Sequence, residues 1–148
     1  MTFSPQKRGC LPIIKSIEKL EQDWLEYPIL HLDLNAERYS EASSLDSILQ
    51  RHLNLWEDTW GKDEREKTLS DRFIGVIRRA KARSGRRVVI LVDEYDKPLL
   101  QAIGDELLQD EYRSILKPFY GVLKTMDGDI RFALLTGVTK FGKVSVFS

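Results

Sequence analysis

Three short apolar segments limit what this chain can fold into more tightly than any other feature. PILHLDL spans residues 28–34, RRVVILV spans 86–92 and IRFALLT spans 130–136. Each has the length and the aliphatic, β-branched content of a single strand, and Pro28 is tolerable at a strand's first position. The stretches between them are too long for hairpins and carry apolar residues at helical period, so the strands should return in parallel through crossover helices. The expectation is an α/β domain with a mostly parallel sheet flanked by helices.

The helical stretches read as follows. Ile13, Ile14, Ile17, Leu20 and Trp24 recur at helical spacing over 13–26, after an irregular segment 1–12 punctuated by Pro5, Gly9 and Pro12. Ser43 and Ser44 are the expected caps of a helix bearing Leu45, Ile48, Leu49, His52, Leu53 and Trp56. Residues 61–63 interrupt it, and a second helix is expected over roughly 64–83, ended by Ser84 and Gly85. Pro98 opens a third, carrying Leu99, Leu100, Ile103, Leu107 and Leu108, in which Asp96 is a candidate cap. Tyr112, Leu116, Phe119 and Leu123 line a further helical face, with a kink or break expected at Pro118.

At 148 residues, 42% of them hydrophobic, the chain is large enough to bury a core. Its formal net charge is zero, which gives no global electrostatic reason to expect nucleic acid or an anionic membrane. Arg78, Arg79, Lys81, Arg83, Arg86 and Arg87 form a local basic run that reads as a solvated helix end, with nucleic-acid binding a lesser alternative. A single cysteine, Cys10, excludes an intrachain disulfide, and with two histidines no zinc spacing is present. No signal-peptide core and no apolar run of membrane length appear, so a reducing, cytoplasmic setting is the default.

The second strand runs straight into two carboxylates, in VVILVDEYDKP at 88–98. Ligands of open α/β sheets bind beyond the carboxyl ends of the strands. There Asp93 suits a magnesium ion and Glu94 suits a base that polarises water, as phosphoryl transfer requires. The other reading is structural, because acidic residues also end strands and cap the helices that follow. A phosphate cradle of the form G-x-x-x-x-G-K-[ST] is lacking. GVTKFGKV at 137–144 has the spacing, but Val144 stands where a hydroxyl is needed and no helix pattern follows, so it reads as a decoy.

Three blocks together, EYPILHLDLN (26–35), VVILVDEYDKP (88–98) and FALLTGVTKF (132–141), resemble the AAA-ATPase-like proteins of bacteria and archaea. That resemblance covers roughly residues 13–148. It implies part of a P-loop ATPase domain, with the phosphate-loop strand and helix lying before these residues and a nuclease-like domain of the PD-(D/E)XK type after them. It further implies Mg-ATP as cofactor, Asp93 and Glu94 as the Walker B pair with Asp93 on the metal, and Thr136 as a sensor of the γ-phosphate. Thr139 and Lys140 are implied near the nucleotide, Lys140 as a binding residue, and Lys97 is either near it or solvated. Such a fragment is expected to be inactive alone and to need the N-terminal ATPase segment or a homo-oligomeric partner. The alternative is a non-catalytic interaction module or a degraded remnant, with Trp24, Trp56 and Trp60 as candidate contacts, although Trp24 and Trp56 sit on apolar helix stripes and read as core.

Overall fold

The computed structural model describes residues 25–138. The order is β1 (Ile29–Asp33), α1 (Ala42–Trp60), α2 (Leu69–Ser84), β2 (Val88–Asp93), α3 (Lys97–Gln101), α4 (Glu106–Thr125), a 3-10 turn (Asp127–Asp129) and β3 (Ile130–Leu135). The strands form one parallel sheet in the order β1-β2-β3. This is the expected α/β architecture, a three-stranded parallel sheet flanked by helices. The segment 1–12, most of the helix expected over 13–26 and everything after Val138 lie outside the described residues.

Strand alternation gives the sheet two different faces. Leu30 and Leu32 of β1 and Val88, Ile90 and Val92 of β2 are at most 2% exposed, beneath α1, α2 and α4. Phe73 of α2 joins the helices, stacking on Phe119 with centroids 4.6 Å apart and on Trp56 at 5.5 Å. On the other face Ile29 is 56%, Phe132 54% and Leu134 46% exposed, with Val89 and Leu91 half-buried among them.

Between β2 and β3 the register slips by one residue. Val88 pairs with Ile130, but Val89 pairs with Phe132, leaving Arg131 as the extra residue of a bulge. Ile130 therefore lies on the covered face with Val88, whereas Phe132, Leu134 and then Thr136 fall on the open face with Val89, Leu91 and Asp93.

Several local expectations need correction. Helix α1 starts at Ala42, with Glu41 rather than Ser43 or Ser44 at the cap position. The Tyr112 hydroxyl donates to the Glu41 carbonyl at 2.5 Å and holds that residue outside the helix. Helix α2 starts at Leu69, not near 64; Thr68 caps it by accepting from the Asp71 N–H at 3.0 Å. Residues 61–68 are instead a loop pinned by Glu66, which crosses over Gly75 to take two hydrogen bonds from Arg79, at 2.7 and 3.0 Å. A Cβ at Gly75 would sit 1.8 Å from the Glu66 carboxylate, so this crossing needs glycine.

The helix after Pro98 is only five residues long, because Gly104 turns the chain at φ 96° and Asp105 caps α4 afresh. Ile103 and Leu107 are consequently exposed rather than core. Helix α4 runs through Pro118 without ending. Tyr112 and Leu116 before it and Phe119, Tyr120 and Val122 after it are all buried, and that burial offsets the roughly 3 kcal/mol a mid-helix proline costs.

Candidate functional site at the carboxyl ends of the strands

His31 and Asp33 of β1, Asp93 of β2 and Thr136 just past β3 bring polar side chains to the carboxyl end of the open face. Asp93 of β2 stands in the middle. The Thr136 hydroxyl, just past β3, donates to Asp93 Oδ1 at 2.8 Å, and His31 of β1 donates through Nε2 to Asp93 Oδ2 at 2.8 Å. These bonds, His31's the larger, hold the Asp93 carboxyl below the usual carboxylate range. About half of each His31 and Asp93 side chain is exposed, so the pair stays open to solvent and to a ligand.

Backbone bonds fix the three strand ends against one another. Leu34 N–H donates to the Asp93 carbonyl at 3.1 Å, Thr136 N–H to the Val92 carbonyl at 2.8 Å, and Tyr95 N–H to the Thr136 carbonyl at 2.9 Å. Below β1, the Asp33 N–H donates to Nε2 of His52 at 3.2 Å, while His52 Nδ1 donates to the Ile48 carbonyl at 2.9 Å. His52 thus ties the end of β1 to α1, with both ring nitrogens engaged.

The residues after Asp93 each have a definite place. Glu94 adopts φ 57°, the only described non-glycine residue with positive φ, which costs a side-chain-bearing residue on the order of 1 kcal/mol. This left-handed step, not simple strand alternation, separates Glu94 from Asp93. The Glu94 side chain is half-buried and has no hydrogen-bond partner among the described residues. Tyr95 is 2% exposed, and its carbonyl accepts from the Tyr120 hydroxyl at 3.2 Å.

Asp96 occupies the cap position of α3 but makes no cap bond. It is fully buried, and its Oδ1 accepts from the Val138 N–H at 3.3 Å, securing the chain beyond β3. A Cβ at Gly137 would meet Asp96 Oδ1 at 2.5 Å and the Tyr95 ring at 2.7 Å, so glycine is required for that approach. Lys97 donates to the Asn35 carbonyl at 2.8 Å and to its side-chain oxygen at 2.5 Å, bracing the loop after β1 instead of standing free.

The structure brings Asp93 and Thr136 together and leaves Glu94 beside them on its own backbone turn. Thr139 and Lys140, and all of GVTKFGKV after Val138, lie outside the described residues. Sequence reasoning missed His31. Its only signal was its place in HLD, on the same side of a strand as the terminal Asp33, and using that signal requires the β1–β2 register, in which Asp33 pairs with Asp93.

The model of the family described as "Predicted AAA-ATPase" matches residues 12–147, which is nearly the whole chain. The chain belongs to this AAA-ATPase-like family. Among curated proteins it is 35% identical over 142 residues to an uncharacterised protein in the vnfD 5′ region of Azotobacter chroococcum mcd 1. That alignment covers 95% of this chain and 28% of the relative, so the chain spans less than a third of the relative's length. No solved structure matches it. Within the AAA-ATPase-like domain, the basic run is largely occupied with its own structure: Arg79 is bound to Glu66, Lys81 to Asp129, and Arg86 lies over the Tyr27 ring. No helix among the described residues is long and apolar enough to cross a membrane.

A magnesium ion is the metal this family implies, and the donor set is compatible with it. Among the described residues no group of three or more His, Cys, Asp or Glu side chains converges as a metal site. Magnesium needs no such cage: one carboxylate, waters and substrate phosphates complete its octahedron.

Proposed function

We propose that this domain supplies the acidic and sensing side of a Mg-ATP site. The single observation carrying this reading is Asp93, at the carboxyl end of the central strand, bonded at 2.8 Å to Thr136 at the end of the next. That is where open parallel sheets bind ligands, and a carboxylate kept ionised at neutral pH suits a hard cation.

In this reading Asp93 holds the magnesium, which when bound neutralises charge on the phosphates. Glu94, whose carboxylate is uncommitted, orients or deprotonates the attacking water. Thr136 has one hydroxyl proton, and in the nucleotide-free chain Asp93 holds it; its sensing role is to exchange that acceptor for a phosphate oxygen. His31 acts through Asp93, fixing the carboxylate's second oxygen and so its orientation. Lys140 lies on the segment that follows Thr136 and is assigned to the phosphates. The backbone donors that cradle β- and γ-phosphates come from polypeptide outside these 148 residues, in cis or from a partner chain, and without them turnover by this chain alone is negligible.

Thermal unfolding of the chain with and without millimolar Mg-ATP tests the proposal. Binding linkage at a concentration about tenfold above Kd adds roughly 1.4 kcal/mol, a rise of a few degrees in the midpoint. The expected result is such a rise, requiring magnesium and abolished in Asp93→Ala. A midpoint indifferent to Mg-ATP, or an equal rise in Asp93→Ala, overturns it.

A further inference from the structure

Two exposed apolar patches remain outside the nucleotide reading, and charges of opposite sign border them. The first is the amino half of the open sheet face. The pairings set Ile29, Val89 and Phe132 in one row across the three strands, with Leu91 and Leu134 in the next. Arg87, just before β2, and Arg131, the bulge residue of β3, border the first row; both are exposed, and neither makes an ion pair with another described residue. The second patch is the turn between α3 and α4. Ile103 is 69% and Leu107 84% exposed there. Asp105 and Glu106 lie between them, and Asp110 and Glu111 stand one helical turn beyond Leu107 on the same side of α4, all four exposed. Asp105 caps the helix and Asp110 meets Arg113 at 2.8 Å, which leaves Glu106 and Glu111 without an ion pair among the described residues.

We propose that these two patches bind each other between copies of this chain. Ile103 and Leu107 of one copy pack on the Ile29–Val89–Phe132 row of the next, with Glu106 and Glu111 toward its Arg87 and Arg131. Solvated apolar patches rimmed by polar residues mark contact surfaces, and here the signs of the rims choose the pairing. Two α3–α4 turns brought together would oppose acid with acid, whereas a turn on the sheet face opposes acid with arginine. Such exposed charge pairs steer and orient more than they stabilise, so the apolar contact supplies most of the affinity. The row Asp33–Asp93–Thr136 lies four residues, about 13 Å, further along the strands and stays clear of the contact. The inference is therefore independent of nucleotide binding. Because the two surfaces differ, a pair of copies still presents one free sheet face and one free turn, and association runs past the dimer or closes into a ring.

Sedimentation of the full chain, under reducing conditions that keep Cys10 from cross-linking, tests this between about 1 and 100 µM, the range expected of a small contact. The parent chain should assemble beyond a dimer as concentration rises. Leu107→Asp and Phe132→Asp should each stay monomeric alone, yet form dimers and nothing larger when mixed, because each supplies the surface the other lacks. Arg131→Glu changes only an exposed side chain and should weaken assembly about tenfold; 0.5 M salt should weaken that of the parent chain by about as much. If either aspartate variant lacks a cooperative unfolding transition, Arg131→Glu and salt decide instead. Four results overturn the proposal: a parent chain monomeric throughout, a Leu107→Asp chain that still associates, a mixture of the two folded variants that stays monomeric, or assembly that Arg131→Glu and salt leave unchanged.

Discussion

The two faces of one three-stranded sheet do different work. Below it, Leu30, Leu32, Val88, Ile90 and Val92 are sealed under three helices whose aromatic residues stack through Trp56, Phe73 and Phe119. Above it, the same strands present Ile29, Leu91, Phe132 and Leu134 to solvent and gather His31, Asp93 and Thr136 at one end. Stability is concentrated where every contact is already made, and chemistry where polar groups are left within reach of something else. Neither face could exchange roles, since a carboxylate beneath the helices would lose its hydration and an exposed Phe119 would leave the helices unjoined.

That contrast can be tested by substitution on each side. Phe119→Ala removes the middle of the aromatic stack and should cost about 4 kcal/mol in chemical denaturation; a loss near zero would mean the covered face is not the core. Glu57→Gln should cost about 3 kcal/mol, because it leaves Arg72 with its charge buried and unmatched; the two side chains are 12% and 4% exposed, Arg72's the larger. Arg72's hydrogen bonds hold the Glu57 carboxyl below its ordinary range. Its contribution is therefore complete above the ordinary glutamate value of about 4.3 and fades as pH falls below it. Acid titration of stability should be correspondingly shallower in Glu57→Gln than in the parent chain.

The smallest effect is expected on the open face. Thr136→Val should leave the unfolding midpoint at neutral pH unchanged. It should nevertheless raise the Asp93 carboxyl toward the ordinary aspartate value of about 3.9, followed by carbon-detected NMR titration, because one of the two bonds depressing it is gone. An unmoved Asp93 would mean that His31 alone governs that carboxylate.

Much of this arrangement could be read from local pattern. The run Val88–Val92 announces a central strand, Gly61 and Gly85 mark helix ends, and the stripe through Leu45, Ile48, Leu49 and Leu53 finds the core. The errors share a cause: each depends on a partner distant in sequence. Residues 64–68 have ordinary helical composition, yet Glu66 is drawn away to Arg79. Pro118 looks like a break until the burial on both sides of it is known. Asp96 looks like a cap, but the N–H it accepts belongs to Val138. The candidate site was legible in Asp93 and Thr136 individually. Its third member, His31, lies 62 residues from Asp93 and becomes visible only through the pairing of β1 with β2.

The bulge at Arg131 makes this architecture sensitive to odd and even numbers. In a strand, one residue more or less is a half-turn for everything downstream. Drawn straight, with Arg131 taking the place opposite Val89, the same residues would put the threonine hydroxyl on Ile130's side of the sheet, toward the helices and away from Asp93. One supernumerary arginine, conspicuous in no motif, thus decides on which side of the protein two halves of a site can meet.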